Sequence, residues 1–585
     1  MPSPYMPPMG EAGRRSKIMA MVKSFWRFLV GVKDFLVLLL MLLIFTAIVT
    51  ARSIGGDEEP GTTTGALSID LSGFLVTQAQ DVDPFALFAG PAPMGEIETR
   101  ALIETIDAAR GDEDIEMLVL DMDGFFGGGQ ADIQAVAGAV AAFRADGKPV
   151  VTYASAYFDD SWLIAAHADE VWLNPLGAVF IGGPGGSNLY FGEALERLKV
   201  DVNVFKVGTY KSAVEPYILS EASEPAKRVR QALADDMWNI WLQDAEAARP
   251  GANVPGYIAS LGDTVRSAGG DFAEAALAAG LVDRIGTRVD FGRVVAESVG
   301  VDDESVPGSY LSVAYDDYDA GGLDLGGDSV GIVYVAGDIV DGEAPAGTAG
   351  GATIAALIER AVADEDVKAL VVRVDSGGGS VTASEDIRQA LVTAREEGLP
   401  VIASFGPVAA SGGYWLATAA DQIVAQPSTI TGSIGVFAVI PTFQKALGEI
   451  GLNADGVETT PFSGAPDILG GLNVETEDML QLSVEDIYRR FIGLVATARK
   501  LTPERVDEIG QGRVWSGAAA RQLGLVDSFG TLDDAIALAE AAAGYDVGDL
   551  RRIDVEEQPS LPMQLLEEFF VGEEAPTVRG GTPAD

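Results

Sequence analysis

Apolar and polar residues follow two periodic patterns along most of the chain. Runs rich in β-branched residues, at 65–76 and 331–340, are typical of strands, and longer apolar strands follow at 115–129 and 367–380. Between these runs, apolar residues recur every three or four positions, as they do on the buried face of a helix. Strands that alternate with helices at this spacing predict an α/β fold.

The same series of strands and helices occurs twice. Asp169 and Pro175 in the first copy match Asp421 and Pro427 in the second copy at one constant offset. A repeat that extends over so many elements indicates a duplicated architecture. The sequence therefore predicts two tandem domains of one α/β fold, joined at a stretch rich in glycine and aspartate (316–328).

An apolar segment near the N-terminus lies outside this repeat. Residues 35–49 contain no charged residue, and the first 50 residues hold six basic residues against two acidic ones. A run of this length is close to the minimum for a membrane-spanning helix. Positive charge before it favours a cytoplasmic N-terminus and an exported body. The alternative is a cleaved signal peptide with its cleavage site at 49–51.

Together these patterns divide the chain into six predicted segments. They are a basic cytoplasmic segment (1–34), a transmembrane anchor (35–53), a polar linker (54–64), the first α/β domain (65–320), the second α/β domain (329–545) and a partly disordered tail (546–585).

Charge and residue usage disfavour several classes of function. The formal net charge is −48, from 87 acidic and 39 basic residues, so the protein repels phosphate backbones and we expect no binding to nucleic acid. The absence of cysteine removes thiol nucleophiles and thiolate metal sites, and the single histidine disfavours a zinc site. No metal and no cofactor are therefore predicted.

The stretch VAASGGYW (408–415) contains a candidate nucleophile. Ser411 follows a strand-like run and precedes an apolar helix, where backbone N–H groups favour developing negative charge. Gly412 beside it leaves room for a substrate. The equivalent residue of the first copy is Asp159, so only the second copy has the serine. A serine hydroxyl needs a base before it becomes an effective nucleophile.

Lys211, in VGTYKSAVEPY (207–217), is the candidate base. The single histidine, His167, lies in an apolar helix of the first copy, where a structural role is the more common one. A lysine acts as a base only when it is neutral, and burial lowers its pKa from about 10.4. Lys206 is an internal control, because on a continuing strand it faces the opposite side. The matching stretch of the second copy (453–464) has no lysine, so each copy is predicted to hold half of the site.

A glycine-rich turn, DSGGGS (375–380), ends a buried strand upstream of the serine. Such a turn can aim backbone N–H groups at the negatively charged oxygen of a reaction intermediate. Gly378, together with the Gly412 amide, is the candidate donor pair. The alternative is a tight strand-to-helix turn that requires glycine for its conformation alone.

Four stretches of the chain match motifs of one known family: GTYKSAVEPY (208–217), RVDSGGGS (373–380), VAASGGYW (408–415) and TGSIGV (431–436). They resemble bacterial signal peptide peptidase A (protease IV) in its long, membrane-anchored form, which is a Ser–Lys peptidase. The resemblance extends from the predicted anchor to about residue 545. It implies that Ser411 is the nucleophile and Lys211 the general base. It also implies that Ser433 orients the lysine and that Gly378 is an oxyanion donor.

The resemblance further implies a fold, an assembly and a substrate. Each domain is expected to have a crotonase-like (ClpP-like) fold, and the protein to form a homotetramer. The catalytic body is expected to be periplasmic and attached to the inner membrane, with signal-peptide remnants and other apolar peptides as substrates. One departure concerns the glycine turn: the family motif Asn-Ser-Pro-Gly-Gly is Asp375-Ser376-Gly377-Gly378-Gly379 here, without the proline that stiffens the turn.

Two other classes of function are open at this point. One is a non-catalytic membrane scaffold that binds peptides, against which the joint presence of Ser411, Lys211 and the glycine turn argues. The other is acyl-CoA chemistry, which crotonase-like folds also support but which generally uses carboxylates. Fold alone does not decide function, so the choice between these classes rests on the candidate site residues. They predict a membrane-anchored serine endopeptidase with a Ser–Lys dyad.

Overall fold

The computed structural model describes Lys33, Leu38 and residues 64–80, 95–318 and 326–556. The predicted anchor, apart from Leu38, and most of the linker and tail therefore lie outside the described residues. Within the described ranges, no helix is long and apolar enough to cross a membrane. From Thr63 onwards the chain forms one compact unit.

The first half of this unit alternates strands and helices. Its strands are β1 (Gly65–Asp70), β2 (Gly73–Val76), β3 (Glu96–Glu98), β4 (Ile115–Asp121), β5 (Phe125–Gly127), β6 (Val150–Tyr157), β7 (Glu170–Val179), β8 (Asp201–Val207), β9 (Arg284–Ile285) and β10 (Ser312–Ala314). Its helices are α1 (Thr99–Gly111), α2 (Gln130–Ala145), α3 (Asp159–Ala166), α4 (Gly192–Arg197), α5 (Glu215–Ile218), α6 (Glu224–Ala248), α7 (Val254–Ser267), α8 (Phe272–Ala278) and α9 (Arg288–Val299), with a short 3-10 helix at Tyr315–Asp317.

The second half repeats the series. Its strands are β11 (Ser329–Ala336), β12 (Ile339–Val340), β13 (Ala349–Gly350), β14 (Val367–Ser376), β15 (Val401–Ala410), β16 (Gln422–Ala425), β17 (Ile430–Gly432), β18 (Val436–Thr442), β19 (Val514–Ser516), β20 (Ser528–Phe529) and β21 (Arg551–Asp554). Its helices are α10 (Gly351–Ala363), α11 (Val381–Glu396), α12 (Gly412–Ala417), α13 (Gln444–Glu449), α14 (Val474–Arg499), α15 (Pro503–Ile509), α16 (Gly517–Leu523) and α17 (Leu532–Ala543).

The two central sheets have the same topology. The first runs β10–β1–β4–β6–β7–β9, and the second runs β21–β11–β14–β15–β16–β20, with parallel pairing throughout both orders. In the second half, β15 also pairs with β17, which in turn pairs antiparallel with β19. The α/β fold and its duplication, both predicted from the sequence, are confirmed.

Helices cover both faces of each sheet. In the first half, α1–α3 and α6–α8 share one apolar cluster with the sheet, and α9 packs on the other face through Phe291 and Val295. In the second half, α17 takes the place of α9, with Ile536 clustered against Ile332. Parallel strands buried on both faces have near-continuous apolar sequences, which explains why the strand runs were readable in the sequence.

Matching hydrogen bonds show how closely the halves correspond. In the first half, an Asp169 carboxylate oxygen accepts from the Val150 N–H at 3.0 Å. In the second half, an Asp421 carboxylate oxygen accepts from the Val401 N–H, also at 3.0 Å. These two aspartates are the pair that matched in the sequence. Each one fixes the start of a central strand, so the sequence match reflects a shared structural role.

An antiparallel ribbon joins the halves at the site. Strand β8 of the first half pairs with β18 of the second half, from Asp201 opposite Thr442 to Val207 opposite Val436. The ribbon carries the chain of the first half to the carboxyl end of β15. Lys211, four residues after β8, therefore lies beside the second half.

A buried ion pair provides a second contact between the halves. The Arg373 guanidinium lies 3.0 Å from the Asp132 carboxylate, and both side chains are almost completely buried. Arg373 also donates to Ser404 Oγ at 3.2 Å and to the Phe405 carbonyl at 3.1 Å. Burial raises the pKa of Asp132 to about 6. An unpaired charge here would be costly, so this contact helps to fix how the two halves dock.

Candidate active site

Ser411 lies at a sharp turn between β15 and α12. Its φ is 53° and its ψ is −114°, a backbone conformation that L-amino acids rarely adopt. The Ser411 N–H donates to the Gly432 carbonyl at 2.9 Å, which ties the turn to the end of β17. Strained residues of this kind occur where the surrounding structure over-determines them, frequently at functional sites.

Lys211 reaches this turn on a loop that the second half supports. The Tyr210 N–H donates to the Gln511 carbonyl at 2.8 Å, and Gly512 lies directly against the lysine backbone. A Cβ atom at Gly512 would be 2.6 Å from Lys211 Cβ, so only glycine fits there. The Lys211 residue is 4% exposed, and its Nζ lies 5.8 Å from the centre of the Phe437 ring.

The lysine amine contacts both serines that the sequence singled out. Lys211 Nζ is 3.1 Å from Ser411 Oγ. On its other side, Nζ donates to Ser433 Oγ at 2.9 Å and to the Ser433 carbonyl at 3.0 Å. Ser433 can therefore hold two N–H groups of the amine, which leaves the nitrogen lone pair of a neutral lysine directed at Ser411.

Burial determines the charge state of the amine. Desolvation lowers the pKa of Lys211 from 10.5 to about 8, because a low-dielectric environment disfavours the ammonium form. Among the described residues, no carboxylate forms an ion pair with Lys211 that would counteract this shift. At neutral pH about a tenth of the molecules therefore hold the amine in the neutral, basic form.

The other two candidates for the base lie elsewhere. His167 ends α3 in the first half, where Nδ1 is 2.9 Å from the Leu163 carbonyl and Nε2 is 3.3 Å from Asp244. Lys206 lies on β8 in register with Phe437 and forms no hydrogen bond with Ser411. Of the three side chains, it is Lys211 that the structure brings to the serine.

The glycine turn approaches the serine, but its amides differ from the expectation. The Gly378 N–H donates to Ser376 Oγ at 3.1 Å, so it is already engaged. In the described part of the chain, the N–H groups of Gly379 and Gly412 have no acceptor, and a Cβ built on Gly412 would be 3.2 Å from the Gly379 nitrogen. The free amides beside Ser411 are thus those of Gly412 and Gly379. Sequence analysis missed Gly379, although the third glycine of the run was the available signal.

The sequence profile of peptidase family S49 matches residues 142–302 and 393–546, which together make up more than half of the chain. Lys211 lies in the first matched range, and Ser411 and Ser433 lie in the second. The chain belongs to peptidase family S49. It is therefore a serine-type peptidase, which decides against the scaffold and acyl-CoA alternatives.

Full-length relatives of this S49 peptidase support the same conclusion. Protease 4 of Salmonella typhi is 38% identical over 529 residues, which cover 88% of this chain and 85% of that protein. Protease 4 of Haemophilus influenzae is 35% identical, with 89% of this chain and 86% of that protein covered. The chloroplastic serine protease SPPA of Arabidopsis thaliana is 30% identical, with 68% and 59% covered. The resemblance to protease IV inferred from the motifs is confirmed.

Adjacent glycines of the turn provide a test of its packing. Gly378 has a φ of +100°, and a Cβ there would be 2.5 Å from the Gly412 nitrogen and 2.8 Å from Ser411 Cβ. We expect Gly378→Ala to displace Ser411 and to lower kcat/KM about a hundredfold or more. Gly377 has nothing within 4 Å of its Cβ position, so Gly377→Ala is the matched control and should retain most activity. Peptide-cleavage kinetics of both variants measure the effect; equal activities would contradict the packing argument.

The buried amine also predicts a pH-dependent stability. Because the pKa of folded Lys211 is about 8 instead of 10.5, the unfolded chain binds more protons between these values, and the free energy of unfolding rises with pH across this window. Lys211→Met removes the buried charge, so we expect the variant to be more stable than wild type at pH 7, by about 3 kcal/mol.

The advantage of Lys211→Met should shrink as the pH rises from 8 to 10.5, because the folded amine is then neutral and a growing share of the unfolded amine is neutral as well. Urea unfolding of both proteins across this pH range measures it. Lys206→Met, on β8, is the control. An equal pH-dependent gain in that variant would show that the effect does not come from the site.

Proposed function

We propose that this S49 peptidase is an endopeptidase in which Lys211 activates Ser411. The observation that carries the proposal is the 3.1 Å separation of Lys211 Nζ and Ser411 Oγ, with the amine buried and without a carboxylate partner in the described residues. A serine nucleophile needs an adjacent base. Of the described residues, Lys211 is the basic side chain that touches Ser411, and it comes from the other half of the chain.

The reaction then follows two steps. Ser411 Oγ attacks the carbonyl carbon of the scissile peptide bond while its proton passes to Lys211 Nζ. The ammonium gives this proton to the leaving amine, the C–N bond breaks, and an ester of Ser411 remains. A water molecule gives a proton to the neutral lysine and hydrolyses the ester, and the same proton then restores the serine hydroxyl.

The two free amides at the turn are the proposed oxyanion donors. We place the negatively charged oxygen between the N–H groups of Gly412 and Gly379, because neither has another acceptor among the described residues. Removing one such donor typically costs about a hundredfold to a thousandfold in kcat. Gly378 enters this mechanism as the residue that permits the turn, since its own N–H is held by Ser376.

Ser433 is the proposed orienting residue for the lysine. Its hydroxyl and carbonyl oxygens both accept from Nζ, and its φ of 53° is a backbone conformation that residues other than glycine rarely adopt. The orientation of a base matters because proton transfer requires hydrogen-bond geometry with the nucleophile.

Finer features of the protein are also part of the proposal. We propose that each half has a crotonase-like (ClpP-like) fold, that the chain assembles as a homotetramer, and that its substrates are signal-peptide remnants and other apolar peptides. The motif resemblance supports all three. The partly exposed Phe437 ring beside the dyad gives an apolar side chain of a substrate a surface to contact.

Cleavage assays on four variants test the dyad. Ser411→Ala and Lys211→Ala should each lower kcat about a thousandfold or more on an apolar peptide. Ser433→Ala should cause a smaller loss, and Lys206→Ala should cleave like wild type. The wild-type rate should rise with pH to a plateau above about 8, as the pKa of Lys211 requires. Equal turnover by wild type, Ser411→Ala and Lys211→Ala would reject the mechanism.

The proposed inner-membrane location rests on the apolar run at 35–49 and the basic residues before it. We expect the full chain to stay with bacterial membranes after an alkaline wash and its body to be digested by protease added to spheroplasts. Deletion of 35–53 should abolish both results. A soluble periplasmic protein whose N-terminus starts after residue 51 would instead establish the cleaved-signal alternative.

A further inference from the structure

The first half holds a cavity where the second half holds the catalytic serine. Its volume is about 600 Å³, within the usual range for ligand sites. Asp159 begins α3 just after β6, as Ser411 stands between β15 and α12. The side chains that matter for the argument are Phe126, Phe158, Asp159, Asp160, Trp238 and Trp241, which line the cavity.

Among the described residues that line it, this cavity has no serine paired with a lysine or histidine base. The Asp159 carboxylate accepts from the N–H groups of Gly182 and Gly183 at 3.2 and 2.7 Å. The Asp160 carboxylate accepts from the Gly128 N–H at 3.2 Å. Both carboxylates are thus held by backbone amides, and among the described residues no lysine or histidine lines the cavity. The first half thus has a cleft at the equivalent position, with two fixed carboxylates where the second half has Ser411.

The negative charge is not neutralised by the protein itself. Within the described ranges, neither Asp159 nor Asp160 forms an ion pair with a lysine or arginine. The nearby Asp123 differs, because Arg288 lies 2.6 Å from its carboxylate. Burial raises the pKa of Asp160, as expected for a carboxyl group with a like charge beside it and no cation. A cationic group in the cavity would compensate this charge.

Aromatic rings form the rest of the lining. Phe126 is 60% exposed and Phe158 is 55% exposed. Phe158 stacks on Phe180 with 6.3 Å between ring centres. Deeper in the cavity, Trp238 stacks on Trp241 at 5.0 Å. Exposed aromatic residues grouped in this way mark interaction sites, and they bind both apolar side chains and cations.

We infer that this cleft is a second, non-catalytic peptide site for apolar segments that carry a lysine or arginine. The cationic side chain binds next to Asp159 and Asp160, and the apolar side chains pack on Phe126 and Phe158. The choice of a peptide as ligand rests on the peptidase activity, but the site works without the dyad. A long substrate bound here stays at a raised local concentration near the active site.

Binding measurements on an inactive protein test the site. The background is Ser411→Ala, and the probe is a short fluorescein-labelled peptide of leucine and alanine with two adjacent lysines. We expect the double variant Asp159→Asn, Asp160→Asn to raise Kd about tenfold and Phe158→Ala about fivefold, measured by anisotropy. Asparagine can still accept the backbone hydrogen bonds, so the fold should persist. Asp302→Asn and Phe529→Ala, both at exposed positions, are the matched controls and should leave Kd unchanged.

A second peptide separates local recognition from the general attraction of an acidic protein. When glutamine replaces both lysines, the peptide should bind the Ser411→Ala background as weakly as the lysine peptide binds the asparagine variant. In a protein with Ser411 intact, the asparagine variant should raise KM for a long apolar peptide that carries the two lysines near one end, and should leave kcat unchanged. Its cleavage of a short uncharged peptide should match wild type, so failure of this site and failure of the dyad give different results.

Three outcomes would overturn the inference. One is an equal Kd for the cleft variants and their controls. Another is an equal loss of affinity in the Asp302→Asn control, which would mean that only the overall charge matters. The third is sedimentation in which Phe158→Ala abolishes self-association and the wild-type oligomer does not bind the peptide. In that case a second copy of the chain covers the cleft.

Discussion

The pairing of β8 with β18 is the contact on which the catalytic site depends. It takes a segment of the first half across to the second half and ends four residues before Lys211. Without it, the proposed base would not reach Ser411, and the described side chains of the second half place no other amine or imidazole beside that serine. The main-chain hydrogen bonds of an antiparallel ribbon fix the register of the two strands, and the register in turn fixes where the lysine arrives.

Burial of Lys211 favours the neutral amine that the proposed mechanism needs, and it also lowers the stability of the folded protein. A charged amine is unfavourable in a dry environment. The Lys211 amine donates hydrogen bonds to two oxygens of Ser433, and it has no neutralising carboxylate among the described residues. A carboxylate partner would have raised the pKa and kept the amine protonated. The absence of such a partner among the described residues therefore keeps the pKa of Lys211 low, as the proposed mechanism requires. Contacts elsewhere in the fold must offset the loss of stability at the site.

Duplication explains why a single chain can divide the work in this way. Each half keeps the same sheet order, and the aspartates Asp169 and Asp421 play the same part in both. The catalytic turn has diverged, with Ser411 in one half and Asp159 in the other. In the first half, the aromatic and acidic cleft around Asp159 lies at the position equivalent to the Ser411 turn.

The sequence alone determined the α/β class, the duplication, and which serine and lysine to consider. Strand and helix periodicities lie within short stretches of sequence, and parallel strands buried on both faces are visible there as apolar runs. Tertiary structure alone decided that Lys211 and Ser411 meet, that burial lowers the lysine pKa, and that Gly379 rather than Gly378 has a free amide. These properties arise from contacts between residues far apart in the chain, such as Gly512 against Lys211 and Ser376 on Gly378. No local pattern encodes such distances, because they depend on how the two halves dock.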